Sequence, residues 1–293
     1  MCGLAGIILQ HKSRTRDEMS LVTAGFERML KSANTRGGHA TGFALIDNQG
    51  NHSIHKKNVD AYNFLSMYHT RATLDSLRID DVLIMGHTRY ATKGSPKINS
   101  NNHPIRTGHT IGTHNGWVRN DDELFDKFDL DRFAQVDSEV IFRMYDNANS
   151  VDDFVDNRLS LIQGKLCIVW TDLERPEYVY IIKANNPLEM VYIPSLNAIA
   201  YGSTSKIVKA GFRSNVKPIE VKANTMLRIN TNTLSIRKTT IEIAERKTYF
   251  NTCSVDYGHT ISNFVPRYSW NDKQRNLFKK INSSDGSKIK VKK

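Results

Sequence analysis

The shortness of its apolar runs is what most constrains this chain. GLAGIIL, HATGFALID, VLIM, KLCIVW, YVYIIKA, EMVYIPS, AIAYGST and TMLRINT are each of strand length, rich in β-branched and aromatic residues, and divided by Gly, Pro, Asn and Asp. Such runs predict buried strands. None approaches the roughly 18 to 20 apolar residues that a membrane span requires. Helical spacing covers RDEMSLVTAGFERMLKSA, with Met19, Val22, Phe26 and Met29 to Leu30 on one face. It recurs around residues 60 to 78 and twice between Asp121 and Tyr145, the second time from near Asp137. The run DVLIMGHTRYA is expected to begin as a core strand and break at Gly86. About nine strands with a few covering helices predict an α+β protein of packed sheets.

At 293 residues, with 39% hydrophobic and 24% charged, the chain has the composition of a soluble globular protein of one large or two small domains. The charged stretch HKSRTR follows the first apolar run, so no signal peptide is expected and the protein is placed in the cytoplasm. Three cysteines, Cys2, Cys167 and Cys253, with no CxxC, argue against a disulfide framework or a zinc knuckle. Cys167, inside KLCIVW, is expected to act as a small buried hydrophobe. The histidines lack HExxH or any other recognised ligand spacing, and neither GxxxxGK[ST] nor GxGxxG occurs. No metal and no cofactor is expected. Net charge is +11, and the segment from Pro266 to Lys293 holds nine Lys or Arg against two acids. Such a tail can track phosphates, as in a nucleic acid, or an acidic partner, but is more commonly a solvated and partly disordered terminus.

Four polar loops carry the chemistry: RGGHATG (36–42), GHTRYAT (86–92), NNHPI (101–105) and THNGW (113–117). Each alone is unremarkable, since Asn-Gly and Gly-rich turns are routine between strands. Cys2 has the unusual address. With Met1 removed, which its small side chain permits, it presents a thiol and a free α-amino group on one residue, a nucleophile with its own base.

Taken with Cys2, these loops resemble the class II glutamine amidotransferases, whose glutaminase domain bears an N-terminal nucleophile. Five motifs occur in the family's order over residues 2 to 141: CGLAGI, RGGHATG, GHTRYAT with NNHP, THNG, and DSEVI. Weaker likeness continues through GKLCIVW and AIAYGSTSKIV to about residue 236. The resemblance, for example to the glutaminase domain of glucosamine-6-phosphate synthase, implies the four-layer αββα fold of N-terminal nucleophile hydrolases over residues 2–236. A C-terminal extension, 237–293, is expected to be partly disordered from about 266.

The resemblance also implies roles. Cys2 attacks the side-chain amide of L-glutamine, and its α-amino group, with an ordinary pKa of about 7.7 to 8.0, takes the thiol proton. Asn115 (side-chain amide) and Gly116 (backbone N–H) stabilise the oxyanion. Arg89 meets the α-carboxylate with support from Thr92, Asp137 holds the α-ammonium, and His103 and Tyr90 belong to the glutamine pocket. Arg36 shapes the Cys2 site. An ion pair or a helix N-cap is the alternative for Arg36 and Asp137. His39 stands where the family has an acid, Tyr90 where glucosamine synthase has Trp, and Lys93 where it has His. No acceptor module fits after residue 236, so ammonia is expected to pass to a separate synthase or ligase subunit. A binding or regulatory protein on the same scaffold, or a hydrolase of another amide such as a γ-glutamyl peptide, is the second reading. The sequence sets neither the acceptor nor the oligomeric state.

Overall fold

The computed structural model describes residues 1–243. β1 (Gly3–Leu9) leads through helix α1 (Arg16–Ala33) to the hairpin of β2 (Ala40–Asp47) and β3 (His52–Lys57). Helices α2 (Ala61–Ser66) and α3 (Tyr68–Asp75) precede β4 (Asp81–Arg89). A second hairpin, β5 (Ile105–Arg106) and β6 (Thr110–His114), is followed by β7 (Trp117–Val118) and helices α4 (Asp121–Lys127), α5 (Glu139–Asp146) and the single turn α6 (Val151–Asp153). Then come β8 (Gly164–Lys165), β9 (Cys167–Asp172), β10 (Tyr178–Lys183), β11 (Glu189–Ile193) and β12 (Ala198–Gly202). Helix α7 (Ser205–Gly211), β13 (Lys217–Ile219), β14 (Thr225–Asn230) and β15 (Ile236–Thr240) complete the described chain.

These strands make two antiparallel sheets, ordered β13-β11-β12-β1-β4-β2-β3 and β15-β14-β10-β9-β6-β5, plus the ribbon β7-β8. Among the described residues fifteen strands exceed the nine that the apolar runs suggest; four of them, β5, β7, β8 and β13, have two or three residues, too few to show a periodicity, and β15 is polar. The last strand crosses residue 236, where the sequence divides domain from extension. The basic segment 266–293 with its expected disorder, Cys253, and the helical pattern in RYSWNDKQRNLFKKI lie outside the described residues.

Alternation along central strands sorts the side chains into three cores. From β1, Ala5, Ile7 and Leu9 pack against Val22, Phe26, Met29 and Leu30 of α1 and Ile207 and Val208 of α7. Leu4 and Ile8 point the other way, onto Cys167, Val169, Val179, Ile181 and Leu227 of the second sheet. The far side of that sheet, Ile168, Trp170, Tyr180 and Ile182, is covered by Leu124 and Phe125 of α4 and Val140 and Phe142 of α5. The result is helix, sheet, sheet, helix, the αββα architecture of N-terminal nucleophile hydrolases. Central strands buried on both faces explain why their runs are continuously apolar rather than alternating. Cys167 is part of the inter-sheet core, where burial pushes its thiol up to about 12.

One expectation fails. β4 does not break at Gly86; it runs through to Arg89, with Gly86 paired to Ala5 and Phe43. The glycine admits a ring rather than a bend, since a Cβ there would stand 2.8 Å from the ring of Phe26 on α1. Gly112 does the same for the other sheet, where a Cβ would meet the Phe142 ring of α5 at 2.1 Å. At each position the missing side chain lets a helix seat a phenyl group on the strand, burial that contributes about 1.5 to 3 kcal/mol per ring. Helix α1 is fixed at its start by a capping box, in which Thr15 accepts from Glu18 N and Glu18 accepts from Thr15 N. Its length, and hence the position of the 36–39 loop beyond it, follows. Among the described residues no helix is long and apolar enough to cross a membrane.

Candidate active site

Cys2 sits at the head of β1, between two strands of its own sheet. Gly3 pairs with Thr88 on one side, and on the other Leu4 N–H donates to Ser203 Oγ while Leu4 O accepts from Ser203 N–H. The residue is buried, whereas Met1 before it is 66% exposed. Its Sγ lies 3.4 Å from the backbone N of Tyr90, which donates to it, and 3.7 Å from the Tyr90 carbonyl. Arg36 Nε donates to the Cys2 carbonyl at 2.9 Å, so the arginine expected to shape the site does grip its backbone. Burial raises the thiol pKa. The Tyr90 N–H, the terminal ammonium and Arg89 oppose that rise, and Asp137 adds to it.

Asn115 and Gly116 follow β6 in the second sheet. The Asn115 backbone is fixed on both sides: its N–H donates to Cys167 O at 2.9 Å, and its carbonyl accepts from Cys167 N and from Asn186 Nδ2 at 2.7 Å. Its side chain is fully buried, with Nδ2 donating to Ser203 Oγ at 3.4 Å and Oδ1 without a partner. Gly116 has no room for a side chain, because a Cβ would stand 1.7 Å from Lys165 O and 2.4 Å from His114 Nε2. The Asn-Gly pair is thus more than a hairpin turn. It is wedged between the ribbon β7-β8 and the sheet, with an amide and a backbone N–H on adjacent residues.

Arg89 ends β4 and is buried. It donates to Asn102 Oδ1 (2.9 Å), Lys93 O (2.6 Å) and Gly94 O (2.9 Å), and so folds the loop that follows it back over its own guanidinium. Lys93 Nζ ties that loop to α4 through Asp121 at 2.6 Å and Asp122 at 3.2 Å, and Arg132 grips the same two carboxylates. Tyr90 is 50% exposed, its ring stacked on His39 at 4.9 Å between centroids. His39 Nδ1 accepts the Ala91 N–H at 3.0 Å, while its backbone N–H donates to Arg89 O. Thr92 is exposed, and the loop carbonyls, not its hydroxyl, engage Arg89.

Beneath this loop three histidines are buried together. His87 and His103 stack at 4.2 Å. His87 Nε2 donates to the His114 carbonyl (3.2 Å) and so joins the two sheets. His114 Nε2 donates to Lys165 O (3.1 Å), which leaves its Nδ1 to accept from Ser138 Oγ (2.8 Å). Burial holds all three neutral, His87 down to about 3 and His103 well below the ordinary range. Both ring nitrogens of His103 lack partners. Asp137, expected at a helix start, accepts the Val118 N–H at 2.7 Å, two residues past Gly116. Among the described residues, no group of three or more His, Cys, Asp and Glu could hold a metal ion.

Cys2, Arg36, Arg89, Tyr90, His103, Asn115, Gly116 and Asp137 therefore converge at one end of the two sheets; Thr92 stays on the surface. Sequence reasoning misses Ser203, Asn186 and Asn102 as supports. Asn102 lies inside the NNHP motif and Ser203 in the GST turn, so both were within reach. Asn186 carries no local signal, its contact with Asn115 spanning 71 residues.

No family model matches the chain. It is 23% identical over 275 residues to glutamine–fructose-6-phosphate aminotransferase (isomerizing) of Oceanobacillus iheyensis, across 92% of this chain and 42% of that protein. The enzyme of the same name from Bacillus thuringiensis is 26% identical over 213 residues, across 68% of this chain and 32% of its own length. The chain thus spans well under half of the curated relatives it matches. Among solved structures, glutamine phosphoribosylpyrophosphate amidotransferase from B. subtilis superposes with a TM-score of 0.62 at 17% identity, over 83% of this chain and 50% of that one. A structure described as the allosteric regulatory enzyme of purine biosynthesis superposes at 0.63. The chain is thus similar in sequence to part of these glutamine-dependent aminotransferases, and it shares its fold with the amidotransferase structures.

Proposed function

We propose that this domain hydrolyses the side-chain amide of L-glutamine and hands the ammonia to an acceptor enzyme. One observation carries the reading: a buried cysteine at the head of β1 adjoins, through Ser203, a buried Asn115 and a half-buried Gly116 that bring an amide N–H and a backbone N–H. After removal of Met1, the α-amino group of Cys2 takes the thiol proton and the thiolate attacks Cδ of glutamine. The amide oxygen becomes an oxyanion that accepts from Asn115 Nδ2 and Gly116 N. Collapse breaks the C–N bond, and the ammonium of Cys2 returns its proton to the departing ammonia. Water then hydrolyses the thioester, releasing glutamate and restoring the thiol.

Glutamine is held by its two charged ends. Three of the five N–H groups of Arg89 are engaged by Asn102, Lys93 and Gly94, leaving two for the α-carboxylate. Asp137 takes the α-ammonium, and His103, whose two ring nitrogens lack partners, is assigned to the glutamine pocket. Thr92 joins the carboxylate site when the loop closes on substrate. The aminotransferases this chain resembles carry glutamine and fructose-6-phosphate in their names, and only the glutamine half of such a reaction is assigned to these residues. The acceptor is a separate synthase or ligase.

Glutamate release from L-glutamine by the purified protein, with Met1 removal verified by intact mass, tests this reading beside Cys2→Ala. Release that vanishes in the variant is the expected result. Release that persists in Cys2→Ala, or activity from a preparation retaining Met1, overturns the mechanism.

A further inference from the structure

We propose that Ser203 is a positioning residue for the oxyanion site, the clasp that holds the Asn115 carboxamide in place against the strand that Cys2 heads. The inference rests on the glutaminase reading for its kinetic consequence but not for its geometry. Ser203 is fully buried at the turn from β12 into α7. Its Oγ accepts the Leu4 N–H at 2.8 Å, and its own N–H donates to Leu4 O at 3.1 Å, so it is fixed to the strand that Cys2 heads. The same Oγ accepts from Asn115 Nδ2 at 3.4 Å, across 88 residues and from the other sheet.

A carboxamide has nearly identical shape in its two orientations, one presenting donors and the other an acceptor. The backbone contacts of Asn115 place the residue but do not choose between them. Asn115 Oδ1 has no partner that would choose. Ser203 Oγ, with one lone pair given to Leu4 N–H, gives the other to Nδ2 in the orientation the structure shows; its own proton would serve Oδ1 in the reverse one, so the hydroxyl immobilises the amide and the developing oxyanion selects its NH2 face. The hydroxyl holds one proton of Nδ2 and leaves the second aimed away, available to an oxyanion. The reversed amide would set an oxygen against that negative charge. Because Ser203 also fixes Leu4, the clasp ties the donor to the nucleophile strand, so the two halves of the site move together.

The test is a double-mutant cycle on the full chain with Ser203→Ala, Asn115→Ala and the pair. Ser203→Ala is expected to lower kcat about tenfold with KM unchanged within about twofold, a fraction of the hundredfold or more that loss of the donor itself costs. In the Asn115→Ala background it should change kcat no further. An equal loss in both backgrounds, or a loss confined to KM, overturns the proposal. In parallel, the Asn115 side-chain NH2 resonances, identified by their absence in Asn115→Ala, should exchange slowly with solvent in the wild type and rapidly in Ser203→Ala. Unchanged exchange overturns the clasp. A wild type that releases no glutamate defeats the glutaminase reading, and amide exchange then decides the role of Ser203 alone. Should Ser203→Ala fail to fold because Leu4 N–H loses its acceptor, Ser203→Cys, similar in shape but with a weakly accepting sulfur, replaces it in both arms.

Discussion

Asn115 and Tyr90 both connect to the strand that Cys2 heads, yet they are held by different kinds of contact. Asn115 is locked from every side by buried groups: Cys167, Asn186 and Ser203. Tyr90 belongs to a loop held from outside, by an exposed stack on His39, the reach of Lys93 to α4, and the carbonyls that Arg89 gathers. The first arrangement keeps a donor in place while charge develops, and it costs no reorganisation during reaction. The second can be undone one surface contact at a time. On the proposed glutaminase reading, this difference separates the residues that would set the rate of the chemical step from those that would admit and retain substrate.

Variants can break this division. Cys2→Ala should abolish glutamate release altogether, and any residual turnover above background would show a nucleophile elsewhere. Asn115→Ala is expected to lower kcat by about a hundredfold to a thousandfold, the loss of about 2.7 to 4 kcal/mol, with KM little changed. An effect mainly on KM would move Asn115 to the binding side. Acid stability should report the buried half. Each of His87, His103 and His114 has its pKa lowered on folding, so the unfolded chain binds the proton first and stability falls as pH drops below about 6.5. His87, pushed down to about 3, alone gives a slope of up to about 1.4 kcal/mol per pH unit between about 6 and 4, and His103 and His114 add to it in the same direction. Chemical denaturation across that range measures it, and a flat profile would mean that the histidines are charged in the fold. On the loop side, Lys93→Ala should raise KM several-fold with kcat within about twofold, since it loosens the tie to Asp121 without touching the reacting atoms. His39→Ala should act in the same direction and less, because its acceptor bond to Ala91 is one solvent-accessible contact worth about 0.5 to 1.5 kcal/mol. A fall in kcat from either would make the loop part of the catalytic geometry.

How much of this was legible beforehand follows the same division. Strands buried on both faces write themselves as unbroken apolar runs, and so GLAGIIL, KLCIVW and AIAYGST gave the sheets and their α+β class. Cys2, Arg89, Asn115 and Asp137 stand out as candidates because they sit in short motifs. Gly86 was misread because a lone glycine signals a bend equally well as a seat for a ring, and only Phe26, sixty residues earlier, decides between them. His39 registered as a departure from an acid, but its stacking on Tyr90 depends on a loop 51 residues away. Ser203 and Asn186 were invisible as supports, since a hydroxyl or an amide that satisfies a distant backbone leaves no period or spacing in its own segment.

The contrast at the first peptide bond has a consequence for biogenesis. On the proposed mechanism the Met1–Cys2 bond is cut to free the amino group; Met1 lies in solvent, whereas Cys2 is buried with its carbonyl held by Arg36. A processing peptidase must seat that bond in its own active site, which the folded terminus does not offer. Trimming therefore competes in time with folding on the nascent chain. Overproduction that outruns the host's peptidase would yield well-folded, permanently silent molecules, so the specific activity of a preparation measures the history of its synthesis as much as the design of its active site.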